Sequence, residues 1–441
     1  MSTATTSAPR RVPLPDGTLP VGAALLIAGT ATYAFFKIGT IALGSKDAFA
    51  PIVSMWFAVF TLAPGFFLPL EQELGRALSH RRAIDQGGQP VVGRVLRLGG
   101  AVTGTVLLII VLASPIITSQ YFSGNWWMLA ALATAFVAYA PAHIARGICA
   151  GSGRFRSYAF ILGSDGVIRI LACILLAVVG ITAVAPYAFA VALSPLIAVV
   201  VVGLRGDLRT DPGPEAPWNE VTQNLGWLLL GTVFAAALLN AGPVTATLLT
   251  DGDQKDAVTR FGYGVLLARI PLFLFQAVQA SLLPRLSGLA ARNELDEFRS
   301  GLRKLMVLVA AVGVVGTVGA FLLGPFVLET VYDAELSRGT LAMLALSSAT
   351  YMAGLATAQA VIALRGHAYV AAGWGVGVIA FLLGTWLSSD LLFRRIEIGL
   401  LLSSIAALAC FSAALRHKLR LGATPTPDSV MDAITDMPME H

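Results

Sequence analysis

The sequence predicts an all-α membrane protein of about 12 transmembrane helices, in two six-helix lobes around a central cavity, with both termini cytoplasmic. Three observations carry that expectation. Only 12% of the 441 residues are charged while 56% are apolar, and mean hydropathy is +0.77; soluble globular chains carry about 25% charge. The apolar residues gather in runs near the roughly 20 residues that a helix needs to cross a bilayer. The basic residues fall on alternate loops, as the positive-inside rule requires.

The runs lie near 18–43, 50–75, 91–115, 126–149, 156–179, 183–203, 222–249, 258–284, 301–323, 339–363, 368–388 and 396–415. The first follows a polar segment containing Arg10 and Arg11. It is longer than the apolar core of a signal peptide, about 7–15 residues, so it is expected to remain as span 1. The segment LGPFVLETVY (323–332) is too short to cross and reads as the end of span 9 or a re-entrant turn. Twenty-one of the 30 Lys and Arg residues lie in the N-terminal segment, the loops after even-numbered spans and the C-terminal tail. Six (Lys46, Lys255, Arg260, Arg338, Arg394, Arg395) lie in the loops after odd-numbered spans. The split places both termini on the cytoplasmic side and argues against a single nucleic-acid-binding patch. Cys149, Cys173 and Cys410 fall inside apolar runs without metal-ligand spacing and read as packing residues.

The widest polar gap, GLRGDLRTDPGPEAPWNE (203–220), divides the chain. It gives an N-terminal tail 1–17, an N-lobe 18–203, a cytoplasmic linker 204–219, a C-lobe 220–416 and a cytoplasmic tail 417–441, expected to be disordered from its Pro, Thr and Asp content. The lobes resemble each other weakly. An offset of 211 pairs Tyr158 with Tyr369, Gly166 with Gly377, Val167 with Val378 and Ile168 with Ile379. An offset of 207 pairs Pro64 with Pro271, while Lys37 and Gly39 match Asn240 and Gly242. Halves with six spans each share one orientation and are related by an axis along the membrane normal, with a natural site between them.

No phosphate-binding P-loop, HExxH or GxSxG motif is present, so no catalytic residue, metal or cofactor is expected, and the chain supplies no ATPase of its own. The remaining candidates are polar residues inside spans, which are costly there and mark interiors or pathways. Lys37, Arg169 and Arg269 lie roughly 9, 15 and 16 Å from the outer ends of their helices. Together they could clamp a phosphate. Arg169 follows Asp165 by four residues, so a local ion pair competes with that role, and Lys37 is near enough to the surface to snorkel. Arg269 has no carboxylate at helical spacing and is the strongest cavity cation. Arg260 lies about 180° from Arg269 on the same helix and fits an outer gate or interface. Asn240, Gln276 and Gln279 are candidate polar lining, Asn240 equally a helix–helix hydrogen bonder. Asp165, the one carboxylate near mid-membrane, is a candidate for proton or sodium coupling; Glu71 and Glu73, at the inner end of span 2, could form a gate with the basic inner loop. The loops after spans 2 and 8 read as basic amphipathic segments at the membrane surface.

Three stretches carry a family resemblance: RGICAGSGRFRSYAF (146–160), ARIPLFLFQAVQASLLPRLSGLAARNELDEFRSGLRK (268–304) and GPFVLETVYDAEL (324–336). With twelve spans and twofold organisation, the chain resembles the Wzx-type branch of the multidrug/oligosaccharidyl-lipid/polysaccharide exporter superfamily. The resemblance implies a flippase that moves a polyprenyl-(di)phosphate-linked sugar to the outer leaflet by alternating access, for cell-envelope glycan synthesis in the bacterial cytoplasmic membrane. It implies a monomer among membrane lipids, with glycan-assembly proteins as partners and no nucleic acid. The sequence departs from the pattern at Asp333, where the family has Gly. Lipid II flippases of the superfamily have fourteen spans and cavity arginines on helices 1, 2 and 8. Here those helices offer Lys37, Arg260 and Arg269, and residues 50–75 hold no arginine. A proton- or sodium-coupled multidrug exporter of the same superfamily is the first alternative, although organic cations call for acidic cavity residues. A polytopic glycosyltransferase or polymerase is the second, weakened by short outer loops.

Overall fold

The computed structural model describes residues 18–421 except 223–224, 251–254, 273–274, 276–285, 287–288, 291 and 365. Among them the chain is helical, with no strand. Twelve principal helices follow one another: α1 Thr18–Ala42, α2 Lys46–Ala83, α3 Gln89–Leu112, α4 Trp126–Gly151, α5 Phe155–Val178, α6 Val184–Leu204, α7 Leu225–Leu249, α8 Lys255–Ala268, α9 Leu295–Tyr332, α10 Arg338–Ala363, α11 His367–Leu387 and α12 Leu392–Leu421. Eleven are long and apolar enough to cross a membrane, making this a multi-pass membrane protein. The exception is α8, whose run continues into residues outside those described.

Local chemistry sets several boundaries. The Ser45 side chain caps α2 by accepting from Ala48 N, and Asn125 caps α4 by accepting from Trp127 N at 3.0 Å. LGPFVLETVY is the continuous end of α9, with no re-entrant turn. That helix stops at Asp333, whose φ of 48° is the left-handed conformation that glycine would adopt without strain. The basic stretch after span 2 is divided between the end of α2, which continues to Ala83, and the start of α3 at Gln89, so it is no separate surface segment.

The two halves repeat one packing scheme. In the first, α1 lies on α5, α2 and α3 on α4, and α6 on both α4 and α5; in the second, α7 lies on α11, α8 and α9 on α10, and α12 on both α10 and α11. The halves meet where α2 packs against α7 and α8.

Proline determines how that seam is bonded. Within a helix, proline removes the hydrogen bond to the carbonyl four residues earlier. Pro64 therefore frees the carbonyl of Phe60, and the Asn240 side chain donates to it from α7 at 3.0 Å. Pro69 likewise frees the carbonyl of Gly65, and Thr232 of α7 donates to it at 2.8 Å. Gly65 also lets the helices close in, because a Cβ there would lie 3.1 Å from Val233 Cα. Further along, the Ser54 and Thr247 hydroxyls pair at 3.0 Å.

Each end of the seam is fastened separately. At the end away from the linker, the Thr40 hydroxyl of α1 pairs with that of Tyr263, Tyr332 donates to the Tyr33 carbonyl at 3.3 Å, and Thr259 donates to the Lys46 carbonyl at 2.8 Å. At the linker end, residues 207–220 are strapped to the first half. Buried Arg81 donates to both carboxylate oxygens of Glu220, at 2.7 and 2.9 Å, and to the Pro214 carbonyl at 2.8 Å. Arg154 donates to the carbonyls of Asp207 and Arg209 at 2.6 and 2.9 Å, and Arg94 lies 4.6 Å over the Trp218 ring.

If the Phe60 carbonyl depends on Asn240 because Pro64 cannot serve it, Pro64→Ala should relieve that dependence. Asn240→Leu is expected to cost about 1 kcal/mol or more in the native protein. Its cost should shrink by at least half in the Pro64→Ala background. Thermal unfolding of the four proteins of the cycle in one detergent checks this.

Candidate functional site

Arg269 sits at the seam because α8 breaks there. Pro271 supplies no N–H and its ring crowds the Leu267 carbonyl, so regular helix ends at Ala268. The guanidinium then turns back to α7. It donates to Asn240 Oδ1 at 2.8 Å and to the carbonyl of Leu239, the group that Pro243 frees. Phe57 of α2 closes the other side, with its ring centre 5.6 Å from the guanidinium carbon. Arg269 is 8% exposed and has no carboxylate partner among the described residues. Beside it lies a small cavity of about 30 Å³ edged by Ser347, Ser348, Tyr351 and Ser404, with room for about a water molecule. Tyr33 of α1 donates to the Leu266 carbonyl at 2.8 Å, one turn before the break.

Arg169 is enclosed elsewhere. It pairs with Asp165 at 2.6 Å within α5, and Asp165 also accepts from Ser194 of α6. The guanidinium carbon lies 4.5 Å over the Trp56 ring and 5.4 Å over Phe60. Trp56 and Phe60 share one face of α2, whereas Phe57 presents to Arg269 from another. Arg169 and Arg269 therefore have separate surroundings and share no partner. Lys37 is half-buried on α1 and has no ion pair or hydrogen bond among the described residues. Arg260 pairs with Asp256 at 2.9 Å near the start of α8, away from Arg269. Gln276 and Gln279 lie outside the described residues.

Glu71 and Glu73 part company, since two residues along a helix is about 200° of turn. Glu73 faces Arg76, at 2.9 Å, and Arg76 in turn donates to the Glu220 carbonyl at 2.6 Å. Glu71 points into the first half and is fully partnered. Its Oε2 lies 2.8 Å from His143 Nδ1 and 2.8 Å from Arg146 Nη2, both on α4, while Oε1 accepts from Tyr158 of α5 at 2.9 Å. Glycine makes this possible: a Cβ at Gly147 would lie 2.8 Å from the Glu71 carbonyl oxygen, so α2 and α4 touch backbone to backbone here. Sequence reasoning missed His143, Arg146 and Tyr158 as site residues. Arg146 reads as one more loop cation, and the spacing of His143 and Arg146 on one face of a buried helix was the available signal.

No family model matches the sequence. The chain is 24% identical over 399 residues to Uncharacterized protein Rv3630 of Mycobacterium tuberculosis, covering 88% of each chain. It is 25% identical over 421 residues to Uncharacterized protein Rv1510 of the same organism, covering 90% of this chain and 91% of the other. Among solved structures it is similar to the inward-facing conformation of a multidrug resistance MATE family transporter of the MOP superfamily. That match has a TM-score of 0.68 at 15% identity and covers 94% of this chain and 97% of the other. An outward-facing conformation of such a transporter matches with a TM-score of 0.66 at 14% identity, covering 92% and 96%. The Vibrio cholerae MATE transporter VcmN in its bent form gives 0.57 at 15% identity, covering 91% and 98%. The fold is that of the MATE transporters.

The enclosure of Arg169 has an energetic consequence. Asp165→Asn leaves a buried, uncompensated guanidinium and is expected to cost about 3–5 kcal/mol. Replacing both partners, Asp165→Leu with Arg169→Met, should cost markedly less than Asp165→Asn alone. Melting temperatures of the purified variants check the order.

Proposed function

We propose that the chain is a transporter of the multidrug/oligosaccharidyl-lipid/polysaccharide exporter superfamily. It flips an anionic lipid-linked sugar, on a polyprenyl phosphate or diphosphate carrier, across the bacterial cytoplasmic membrane. The fold supports the transporter part, and the sequence resemblance supports the lipid-linked sugar. The observation that carries the substrate class is Arg269: a buried guanidinium at the seam between the halves, held by an amide and a backbone carbonyl. A cation-exporting site would be expected to place a carboxylate at such a position. Buried Glu71 and half-buried Asp165 are instead turned into the first half and paired there with Arg146 and Arg169, while buried Glu73 faces Arg76 and buried Glu397 faces Arg394 of α12.

Alternating access gives Arg269 something to do. Separation of α2 from α7 breaks the Asn240–Phe60 bond, and separation of α1 from α8 breaks the Tyr33–Leu266 bond. Arg269 is then uncovered, and a phosphate oxygen can replace neutral acceptors with a charge-assisted, bidentate interaction. An apolar cavity of about 210 Å³, lined by Ile270, Pro271, Gly316 and Ala320, adjoins the Arg269 cavity through Ala268 and Ser348. It suits part of a hydrocarbon chain attached to that phosphate. Lys37 of α1, with no ion pair among the described residues, is a second cation that the anion can meet on its way.

A multidrug exporter is the competing reading. It is favoured by the named activity of the matched MATE transporters and by Arg269 being already satisfied within the second half. The two readings differ in the charge of the ligand. Purified protein in detergent should bind farnesyl phosphate, followed by intrinsic tryptophan fluorescence, and should bind tetraphenylphosphonium at least tenfold more weakly. Arg269→Ala should weaken farnesyl phosphate binding about 10- to 100-fold, the scale of a lost charged hydrogen bond, with Arg269→Lys in between. Preference for tetraphenylphosphonium, with Arg269→Ala indifferent, would establish the drug exporter instead.

A further inference from the structure

A charge buried at this depth needs a countercharge, and Arg269 lacks one of the ordinary kind among the described residues. The helices α1, α7 and α10 contain no Asp or Glu along their length. On α12, Glu397 lies seven residues before Ser404, which edges the Arg269 cavity, and so roughly 10 Å away along the helix axis. It faces Arg394 at 3.5 Å. On α2, Glu71 and Glu73 are taken by Arg146 and Arg76, and on α8 Asp256 is taken by Arg260. Asn240 and the Leu239 carbonyl bring dipoles to the guanidinium but no charge. An unpaired cation in an apolar interior is costly.

The cavity beside Arg269 has the size and the lining for the missing charge. It lies within the second half, walled by α7, α8, α10 and α12, on the opposite side of the seam helix from the first-half ion pairs. Its volume of about 30 Å³ is the space of one water-sized particle. A chloride or bromide ion is only slightly larger than water, whereas sulfate and phosphate, each with four oxygens, do not fit. Two hydroxyls at its edge have protons to offer. Ser347 donates to the Met343 carbonyl at 2.8 Å and Ser404 to the Leu400 carbonyl at 3.0 Å. Both carbonyls lie four residues back in the same helix and already serve a helical N–H, so either hydroxyl can turn to an anion without orphaning its acceptor. The rest of the wall is apolar, with Leu238, Pro243 and Leu344. Such a wall tolerates a large, weakly hydrated halide better than a strongly hydrated oxyanion.

We propose that this cavity is a halide site, and that a chloride ion bound there is the countercharge of Arg269 while the seam is closed. The ion accepts from the guanidinium and from the Ser347 and Ser404 hydroxyls. Asn240 and the Leu239 carbonyl keep their places on the guanidinium. A phosphate is too large for the closed cavity and reaches Arg269 only once α1 has parted from α8. The two anions then compete for one cation, and departure of chloride as the phosphate arrives leaves the charge balance of the site nearly unchanged. The exchange rests on the lipid-phosphate reading of the substrate. Halide binding does not, and it is tested with inorganic salts alone.

The full chain is purified in detergent and sodium gluconate, and chloride then replaces gluconate at constant ionic strength while thermal unfolding is followed. Tm is expected to rise saturably by about 2–4 °C with chloride or bromide and to stay flat with sulfate. In the double variant Ser347→Ala, Ser404→Ala the midpoint concentration should increase about tenfold. In Arg269→Gln the response should vanish; if that variant does not fold, the serine variant decides. Crystals of the full chain grown in bromide should show an anomalous peak beside the Arg269 guanidinium. A Tm indifferent to halide overturns the proposal, and a bromide peak accompanied by such a Tm marks an adventitious ion only. An equal response to sulfate, or a halide response unchanged in the variants, overturns it as well. In parallel, raising chloride at constant ionic strength should weaken farnesyl phosphate binding about threefold or more. Binding that ignores chloride overturns the exchange. Absence of farnesyl phosphate binding counts against the lipid-phosphate reading, while the salt titration still decides the halide site.

Discussion

Three carbonyl oxygens that proline leaves without helical partners, those of Phe60, Gly65 and Leu239, set the terms on which the two halves meet. In the middle of a bilayer no water can serve them, and each orphaned group would cost several kcal/mol. The chain meets the need with side chains from neighbouring helices: Asn240 and Thr232 reach from α7 to α2, and Arg269 reaches from α8 to α7. The Asn240 and Thr232 bonds, with the Ser54–Thr247 pair, cross this apolar interface and fix the register of α2 against α7. They also explain why polar residues that look like pathway lining lie where they do. Asn240 is first a hydrogen-bond bridge between α2 and α8, and Arg269 is first the partner of a freed carbonyl.

The same requirement separates two kinds of buried charge. Asp165 with Arg169, and Glu71 with Arg146, are neutral units enclosed within the first half, where aromatic rings and hydroxyls complete their shells. Such pairs hold helices of one half together and need not change when the halves move. Arg269 differs because its counter-dipoles are shared along the seam. A guanidinium satisfied by an amide and a carbonyl is held less strongly than one satisfied by a carboxylate, so it is the buried cation most readily handed to an incoming anion.

Much of this was legible in the sequence, and the limits have physical causes. Length and hydropathy located the spans because a bilayer demands a fixed apolar length, and the Asp165–Arg169 pair followed from four-residue helical spacing. The internal offsets pairing span 1 with 7, 2 with 8 and 5 with 11 agree with the packing, in which α1 on α5 is repeated by α7 on α11. Contacts between helices distant in sequence were invisible. Glu71 meets His143 across 72 residues, and no periodicity links them. Arg81, Arg94, Arg146 and Arg154 carried a topological message so clear that their further roles, strapping the linker and closing the Glu71 cluster, were hidden behind it. Gly147 and Gly65, which permit the close approaches, look like any other small residues in apolar runs.

The internal repeat gives the seam a near-symmetry that bears on how it could open. Pro64 of α2 corresponds to Pro271 of α8. Pro64 lies inside a continuous α2 and Pro271 just past the end of α8, and beside each proline the helix offers a carbonyl to the first helix of the other half: Phe60 to Asn240 of α7, Leu266 to Tyr33 of α1. The exchange is reciprocal, but the donors are unequal. Asn240 also holds Arg269, so its side of the seam couples three helices, whereas on the other side the Tyr33 hydroxyl donates to the Leu266 carbonyl at 2.8 Å and Thr40 pairs with the Tyr263 hydroxyl. Two hinges built to one plan but loaded differently will not yield together. The α1–α8 side, joined by neutral hydroxyl bonds, should part at lower cost than the α2–α7 side, where Asn240 is tied to a guanidinium. An opening that begins there exposes the Arg269 face before Asn240 lets go, which is the order an anion-accepting seam requires.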